Sequence, residues 1–490
     1  MKLGALFSEL NPLIFSADKD LEIIQVTSDS RKVRKGGAFV ALKGTKYDGH
    51  IWIDAALENG ASVIVCQEKP RQEIPYILIE DTRSALPLLL SKLYGHPEKS
   101  FRHMIAITGT NGKTTTSFMI KAIFEAAGHK TGLIGTTKYL IGDVPYEKVD
   151  PAAAFLTTPD PEILFDLLND MRAAGVDTVI MEASSHALYF KKLTGLHFNF
   201  GVFTNLTQDH LDFHKTIEEY LAAKKRLFEI CDVGVFNRDD PHFSAISEGV
   251  SAAVRRFSVK GNDAEYCVKE MLREDEKGIS YRCAIPGGEM RIDVEIPGSF
   301  TVYNSLGAAA VALEAGITQE DVARGLKSLS GVKGRIERIP TDTPYSVFID
   351  FAHTPDALEN ILVTLREFTR GKLWCLFGCG GDRDRGKRPI MGRIAGKLSD
   401  VVVVTSDNSR TEEKEDIIRD ILPGLEGCEK PVKTIVDRTE AIKWCLDNAG
   451  AGDVILLAGK GHEEYEIDKT GKHPFSEREI VKSYMGERKQ

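Results

Sequence analysis

A glycine-rich segment, Gly109-Thr110-Asn111-Gly112-Lys113-Thr114-Thr115, has the residue types needed to bind a nucleoside triphosphate. Its glycines allow a tight turn of backbone amides, its lysine supplies an ammonium group, and its hydroxyl groups can ligate magnesium. An apolar run at 104–108 precedes the segment, and a helix-compatible stretch at 113–127 follows it. This order of strand, loop and helix predicts a phosphate-binding loop for ATP and Mg²⁺. Ile107 stands where the ordinary pattern has a glycine, so the loop is a variant.

Further polar blocks follow this loop along the chain. They are Glu182-Ala183-Ser184-Ser185-His186, residues 204–214, Tyr220-Leu221-Ala222-Ala223-Lys224, Gly334-Arg335 and Asp350-Phe351-Ala352-His353-Thr354-Pro355. Together with the loop at 108–115, these blocks resemble the Mur ligase family in sequence and in order. Taken singly, Glu182 would be an ordinary ion-pair partner and Lys224 part of a solvated basic helix. Their occurrence together favours a functional interpretation.

The resemblance implies an ATP-dependent ligase that makes an amide bond through an acyl phosphate. The catalytic residues that it implies are Lys113, Glu182, His210 and Lys224. The implied magnesium ligands are Thr114, Glu182, His210 and Lys224, the last as a carbamate formed with CO₂. The implied ATP contacts are the loop residues from Gly109 to Thr115 and, from elsewhere in the chain, Asn304, Arg335 and Asp350. Thr301 replaces an asparagine that is common in the family.

The first hundred residues contain the blocks Thr27-Ser28-Asp29-Ser30-Arg31 and Asp48-Gly49-His50. They resemble the UDP-binding domain of the Mur ligases that add the third peptide residue. The resemblance implies that a UDP-linked muramoyl dipeptide is bound by Ser30, Thr45, Lys46, Thr157, Thr158, Ser184 and Lys192. Lys192 stands where the family has an arginine, which keeps the charge but removes the bidentate fork.

The other substrate implied by the resemblance is a free amino acid. Its implied contacts are Arg383, Asp407, Asn408, Arg410, Gly459 and Glu463. A guanidinium at Arg410 suits a carboxylate and repels an ammonium, so it favours meso-diaminopimelate over L-lysine. Ser409 replaces the proline of the family's usual acceptor motif, which removes a backbone constraint.

The elements that must position these residues are short apolar strands alternating with helices. This alternation predicts an α/β fold with a C-terminal doubly wound, Rossmann-like domain. The phosphate loop and the family resemblance imply that the central domain is a P-loop ATPase. A length of 490 residues exceeds a single ordinary core and favours three domains. We place them at 1–100, 101–333 and 334–490, and the resemblance implies that they bind the UDP precursor, ATP and the amino acid respectively.

Composition excludes several other classes of protein. A formal net charge of -9 disfavours a nucleic-acid-binding surface. No apolar run approaches the roughly 20 residues of a membrane span, and no signal peptide is evident. The eight cysteines are scattered, which favours reduced thiols over disulfides or structural zinc. We therefore expect a cytoplasmic monomer without nucleic-acid or membrane partners.

Two alternatives remain open from the sequence. Within the family, the enzyme could add L-lysine or another amino acid, whereas a folylpolyglutamate-type ligase is disfavoured by the UDP-binding blocks. In another class, a P-loop NTPase or regulatory nucleotide-binding homologue that does not ligate would explain Lys113 and Thr114. It would not explain the residues assigned to the amino acid.

Overall fold

The computed structural model describes residues 1–490 apart from 45–47, 149–155, 208, 210, 330 and 488–490. Thr45, Lys46 and His210, all predicted to bind ligands, therefore lie outside the described residues. Unit 1 comprises Met1–Phe257 and Gly307–Ile317, and unit 2 comprises Ser258–Leu306 and Thr318–Gln490. The predicted domain boundaries after residues 100 and 333 stay predictions.

The N-terminal part of unit 1 is a small sheet with helices. Its strands are β1 (Ile14–Ser16), β2 (Gln25–Thr27), β3 (Gly37–Val40), β4 (Ala61–Cys66) and β5 (Tyr76–Leu78). Its α-helices are α1 (Leu3–Leu6), α2 (Ile53–Glu58) and α3 (Thr82–Leu93), and its 3₁₀ turns are Ser30–Lys32, Gly49–Trp52 and Pro97–Ser100. The strand order is β1-β5-β4-β3-β2, and only β1 is antiparallel to its neighbour.

The rest of unit 1 is built on a larger, mainly parallel sheet. Its strands are β6 (His103–Thr108), β7 (Thr131–Ile134), β8 (Tyr139–Ile141), β9 (Val144–Pro145), β10 (Thr178–Glu182), β11 (Phe198–Phe203), β12 (Cys231–Asn237) and β13 (Ala253–Ser258). Its helices are α4 (Lys113–Ala126), α5 (Pro161–Ala173), α6 (Ser185–Tyr189), α7 (Leu211–His214), α8 (Ile217–Lys225), α9 (Phe243–Ser247) and the 3₁₀ turn Arg226–Glu229. The order is β13-β12-β11-β6-β10-β7-β8-β9, which places β6 between β11 and β10.

Helices α3 and α5 join the two sheets of unit 1 through one core. Asp81 caps α3 by accepting hydrogen bonds from the amides of Arg83 and Ser84, and Pro161 begins α5. The two helices contact each other, and their buried side chains belong to a single hydrophobic cluster. Because this packing is apolar and extensive, the two sheets form one body around the cleft described below.

Unit 2 contains an antiparallel meander, a parallel sheet and a hairpin. The meander is β14 (Tyr266–Asp275), β15 (Gly278–Ile285) and β16 (Gly288–Val294). The sheet is formed by β17 (Glu337–Ile339), β18 (Ser346–Asp350), β19 (Leu373–Phe377), β20 (Val401–Val404), β21 (Val432–Thr434) and β22 (Val454–Ala458), and the hairpin by β23 (Tyr465–Asp468) and β24 (Gly471–Pro474). The sheet order is β17-β18-β22-β19-β20-β21, and only β17 is antiparallel.

Helices cover both faces of the unit 2 sheet. The helices that follow the meander are α10 (Ser299–Glu314), which gives residues to both units, α11 (Gln319–Ser328), α12 (Pro355–Phe368), α13 (Lys387–Leu398), α14 (Lys414–Ile421), α15 (Arg438–Asn448), α16 (Glu477–Glu487) and the 3₁₀ turn Leu422–Leu425. Alternate strand residues enter opposite cores: Phe348 packs with α12 and α13, whereas Val347 and Ile349 pack with α15. This two-sided burial is typical of a doubly wound sheet and confirms the predicted α/β class.

Two expectations from composition concern membrane-spanning helices and the cysteines. None of its helices is both long enough and apolar enough to cross a membrane. All eight cysteines are free thiols, and only Cys428 is not buried. The prediction that the cysteines are mostly buried is confirmed, and their reduced state stays a prediction.

Candidate active site

The predicted phosphate loop connects β6 to α4. Gly109 has φ +148°, and a Cβ atom there would lie 1.9 Å from Oγ1 of Thr204, so only glycine fits. Gly112 is left-handed with φ +85° and directly precedes α4. The loop backbone therefore enters the helix N-terminus, where amides and the helix dipole favour an anion. Thr115 is buried in the first turn of α4.

Two lysine side chains meet at the carbonyl oxygen of Gly109. Nζ of Lys113 donates to it at 2.9 Å and also to the Thr110 carbonyl at 2.8 Å. Nζ of Lys224 donates to the same Gly109 oxygen at 2.8 Å and lies 4.2 Å from the ring centre of Tyr220. Lys224 is only 1% exposed. Burial and then the neighbouring Lys113 lower the pKa of Lys224 well below that of an ordinary lysine, which favours a neutral amine.

Glu182 stands beside the loop because β10 runs parallel to β6. It is the last residue of β10, opposite Ile107, and is 1% exposed. Its carboxylate accepts hydrogen bonds from Oγ1 of Thr114 at 3.1 Å, from the amide of Thr136 at 3.1 Å and from Oγ1 of Thr136 at 2.8 Å. The predicted neighbours Thr114 and Glu182 are thus in direct contact.

Thr136 was absent from the sequence prediction. It lies just beyond β7, and β7 pairs with β10 on the side away from β6. Adjacent parallel strands end at the same edge of a sheet, so a hydroxyl in this position can reach Glu182. In the sequence, the pair Thr136-Thr137 follows an apolar run. This pattern alone does not indicate a contact with Glu182, because the contact depends on the order of the strands.

The other wall of the loop comes from the segment after β11. The amide of Asn111 donates to Oδ1 of Asn205 at 2.9 Å, and the amide of Thr110 donates to the Asn205 carbonyl at 2.9 Å. Oγ1 of Thr204 donates to the Asn111 carbonyl at 2.6 Å. These bonds fix the loop from the side opposite Glu182, so the sheet order β11-β6-β10 assembles the site.

The oxygen donors here fit magnesium. Mg²⁺ prefers oxygen ligands and is commonly held by one or two protein groups together with water and phosphate. The hydroxyl of Thr114 and the carboxylate of Glu182 are such ligands and are already in contact at 3.1 Å. Within the described ranges, no group of three or more His, Cys, Asp or Glu side chains forms a metal cage. Two adjacent oxygen ligands suit a cation whose remaining ligands are water and phosphate.

A second feature of unit 1 is a cleft of about 560 Å³ between its two sheets. Thr27, Ser28, Asp29 and Arg83 line one side, and Asp160, Glu162 and Lys192 line the other. Oγ of Ser28 donates to Oε1 of Glu162 at 2.6 Å, and Nζ of Lys192 pairs with Oδ1 of Asp160 at 2.7 Å. The cleft thus carries hydroxyls and both signs of charge.

The other predicted precursor contacts fall into two groups, one beside this cleft and one near Glu182. Ser30 is 8% exposed and lies next to the lining residues Thr27, Ser28 and Asp29. Thr157 and Thr158 lie close to Glu182 instead: Oγ1 of Thr157 is 3.0 Å from that of Thr136, and Oγ1 of Thr158 donates to the Glu182 carbonyl at 2.7 Å.

Ser184 lies beside Thr158 at the same edge of the sheet. Its amide donates to Oγ1 of Thr158 at 2.9 Å, and its own hydroxyl caps α6 through the amide of Ala187. The predicted contacts Thr157, Thr158 and Ser184 therefore cluster around the phosphate loop, and Lys192 lies in the cleft.

In unit 2, the residues predicted to bind the amino acid converge from two loops. Nδ2 of Asn408 donates to Oε2 of Glu463 at 2.8 Å, and its Oδ1 accepts Nζ of Lys460 at 3.0 Å. A Cβ atom on Gly459 would lie 2.7 Å from Oδ2 of Asp407, so these two residues also touch. Lys460, buried at the centre of this group, was not predicted.

The carboxylates of this group have opposite pKa shifts. Burial alone would raise the pKa of Asp407, but the nearby Lys460 and Arg438 outweigh it, and the pKa lies below its usual value. Burial, and then the charge of Asp407, raise the pKa of Glu463. The site therefore holds one firmly ionised carboxylate beside one that accepts a proton more readily.

Arg410 and Arg383 lie on neighbouring loops after β20 and β19. Arg410 is left-handed, with φ +52°, and its Nη1 donates to the carbonyls of Gly381 at 2.8 Å and Asn408 at 3.3 Å. Arg383 is exposed, and its Nη1 donates to the Asp382 carbonyl at 3.4 Å. The structure thus brings the Arg410 loop against the loop that carries Arg383.

The remaining predicted ATP contacts also lie in unit 2. Asn304 is buried within α10. The carboxylate of Asp350 accepts the amides of Ile336 and Ala352, both at 2.8 Å, and burial raises its pKa despite the opposing charge of Arg335. The Arg335 guanidinium lies 5.2 Å from the ring centre of Phe351.

Comparison with known proteins decides the family. Successive models match residues 22–91 ("Mur ligase family, catalytic domain"), 107–312 ("Mur ligase middle domain") and 334–461 ("Mur ligase, glutamate ligase domain"). A relative from Clostridium tetani is 42% identical over 99% of this chain and 100% of its own length. The chain belongs to the Mur ligase family. That relative is named "UDP-N-acetylmuramoyl-L-alanyl-D-glutamate--2,6-diaminopimelate ligase".

Solved structures agree with this Mur ligase assignment. One, titled as the structure of a UDP-N-acetylmuramoyl-L-alanyl-D-glutamate--2,6-diaminopimelate ligase, has a TM-score of 0.71, 32% identity and full coverage of both chains. The MurF ligase from Thermotoga maritima in complex with ADP has a TM-score of 0.58 and 20% identity, covering 91% of this chain and 96% of its own, so it supports the fold alone. The predicted family and three-domain α/β architecture are confirmed.

Proposed function

We propose that this Mur ligase uses ATP to join meso-diaminopimelate to UDP-N-acetylmuramoyl-L-alanyl-D-glutamate, a step of peptidoglycan precursor synthesis in the cytoplasm. The proposal is carried by the hydrogen bond between Asn408 and Glu463, which unites the two predicted amino-acid loops in a chain that also holds an intact phosphate loop. Relatives of similar length carry the name of this activity.

The chemistry requires activation of a carboxylate, which is otherwise a poor acyl donor. An oxygen of the precursor carboxylate attacks the γ-phosphorus of ATP, and ADP leaves. The neutral amine of the incoming amino acid then attacks the acyl carbon, inorganic phosphate leaves, and a proton is released. Lys113, next to the loop amides, neutralises charge on the phosphates during the first step.

Magnesium fits beside Lys113. Thr114 and Glu182 would hold it, because their oxygens already meet next to the loop. When bound, the cation neutralises phosphate charge and orients the terminal phosphoryl group. Thr136 holds the Glu182 carboxylate in place through its amide and hydroxyl, so this carboxylate does not have to reorient when the cation binds.

Lys224 is proposed to be carbamylated. Only the neutral amine can attack CO₂, forming an N–C bond with loss of a proton, and burial favours that neutral form. The resulting carbamate is an anion. It would lie next to the Lys113 ammonium, because the Nζ atoms of Lys113 and Lys224 both donate to the Gly109 carbonyl. A buried lysine that only supported the loop would be the structural alternative.

The precursor is proposed to bind in the cleft of unit 1. Lys192 and Arg83 supply positive charge to the cleft, Ser28 supplies a hydroxyl, and Ser30 lies beside the lining residues.

The amino acid is proposed to bind in unit 2. Arg410 would contact its distal carboxylate, Glu463 its distal ammonium, and Arg383 the carboxylate next to the reacting amine. We further propose that the enzyme is a monomer.

One incubation experiment tests the proposal. Purified protein is mixed with ATP, Mg²⁺, the UDP-muramoyl dipeptide and one amino acid at a time, and phosphate release and product mass are measured. We expect the diaminopimelate adduct, its loss in Lys113→Met, and its retention in Lys130→Met, which changes an exposed lysine of unit 1. A lysine adduct alone would contradict the role of Arg410, and ATP hydrolysis without any adduct would contradict ligation.

A further inference from the structure

Arg438 is a buried arginine with no place in the proposed chemistry. It is the first residue of α15, and only 2% of it is exposed. Its Nη1 donates to the Ser406 carbonyl at 3.0 Å, its Nη2 to the Ala458 carbonyl at 2.7 Å, and its Nε to Oε1 of Glu477 at 2.9 Å. All three nitrogens of the guanidinium are thus engaged.

The two carbonyls belong to the loops that carry the amino-acid site. Ser406 directly precedes Asp407, and Ala458 directly precedes Gly459. Strand β19 lies between β20 and β22, so the ladder of the sheet does not join these strand ends directly. Arg438 supplies that connection through one rigid group.

Charge around Arg438 is balanced inside the core. Glu477, also 2% exposed, pairs with it at 2.8 Å, and Oδ2 of Asp407 lies 4.0 Å from its Nη1. Burying an ion pair is not in itself an efficient way to stabilise a fold, because desolvation offsets the attraction. The pair has a more specific effect here, since the planar fork sets the spacing of two loops.

We propose that Arg438 is a positioning residue that fixes the loops beginning at Asp407 and Gly459 in the geometry that binds the amino acid. The inference rests on the proposed function, because it takes these loops as the amino-acid site. Arg438 does not touch the reacting atoms. It acts on the distance between Asn408 and Glu463, which bond each other at 2.8 Å.

Steady-state kinetics of two variants test this role. Arg438→Lys keeps the charge opposite Glu477 but loses the fork, and Arg438→Gln with Glu477→Gln removes both buried charges together. Loss of a hydrogen bond between these loops and a charged group of the amino acid lowers affinity by roughly 10- to 100-fold, so we expect the KM for diaminopimelate to rise by about that factor. The KM values for ATP and the UDP precursor should stay within about twofold, since neither substrate is assigned to these loops.

Arg366→Lys is the matched control. Arg366 also bridges a carbonyl and a carboxylate, those of Leu398 and Asp400, but at the amino end of β20. We expect its KM values to equal those of the wild type. Equal changes in all three KM values, or a lower kcat at an unchanged amino-acid KM, would overturn the positioning role. A wild type that forms no adduct would instead overturn the proposed function, and this inference with it.

Discussion

Replacing Arg410 by methionine is the sharpest test of substrate choice. In the described part of the chain, both hydrogen bonds of the Arg410 guanidinium use Nη1 and end on the carbonyls of Gly381 and Asn408. Nη2 and Nε are therefore available to a ligand carboxylate. Methionine preserves much of the side-chain volume, and its Cβ suffers the same strain at φ +52° as that of arginine. The substitution thus removes the fork without a new backbone cost.

The size of the effect follows from the contact that is lost. A hydrogen bond to a charged group contributes about 1.5–3 kcal/mol, which corresponds to roughly a 10- to 150-fold change in affinity. We expect the KM for diaminopimelate to rise by that factor in Arg410→Met. For L-lysine, whose distal group is an ammonium, the KM should stay level or fall because a repulsive charge has gone. The preference for diaminopimelate over lysine should therefore fall by at least about tenfold.

The assay is ADP release with each amino acid in turn at saturating ATP and precursor, with product mass as a check. Arg419→Met is the control, because Arg419 is an exposed arginine of the same unit, paired only with Asp416 among the described residues. The control should keep the wild-type preference. An Arg410→Met enzyme that still prefers diaminopimelate by the wild-type ratio would refute the assignment of this guanidinium to the distal carboxylate.

Three other outcomes are expected. Gly109→Ala should lose measurable ATP turnover while remaining folded by circular dichroism, since its Cβ would lie 1.9 Å from Oγ1 of Thr204; turnover close to wild type would contradict the tight loop. Incubation with ¹³C-labelled bicarbonate should give a carbamate NMR signal in the wild type and none in Lys224→Ala, because the lowered pKa of Lys224 favours the reactive amine. Bonds from Arg388 lower the pKa of Glu412 from 4.5 to about 2, so the stability that they contribute is complete above pH 4.5 and is lost as the pH falls toward 2. The Tm advantage of the wild type over Glu412→Gln should shrink across that range, and an advantage that grew on acidification would contradict the sign.

Local features of the sequence predicted much of the fold. Apolar runs located β19 and β20 to the residue, and the loop pattern placed the start of α4 at Lys113. These elements are fixed by burial and by turn chemistry, both of which act over a few residues. The meander β14 to β16 and the hairpin β23 to β24 were not predicted. Most of β14 is exposed and β23 is half-buried, while β15 is mostly buried but has no continuous apolar run.

The candidate site was predicted where family motifs carried it and missed where strand order decided it. Thr114 and Glu182 were expected to share magnesium, and they are in contact. Thr136 and Arg438 were missed because each reaches the site from a strand or helix distant in sequence. Lys460 lies between the predicted contacts Gly459 and Glu463, but its burial and its bond to Asn408 are visible only in the fold. A residue's role in such a network depends on which strands are neighbours, and single-residue spacing does not encode that.

The parallel sheet of unit 2 also separates the predicted ligand residues from groups that serve the core. The loops after β18, β19, β20 and β22 carry the predicted ligand residues, and all leave the sheet at its carboxyl edge. The opposite edge holds groups such as Asp453, which accepts Nε1 of Trp374 at 2.9 Å and serves the core. Substitutions in the loops at the carboxyl edge should therefore disturb the core less than substitutions at the opposite edge.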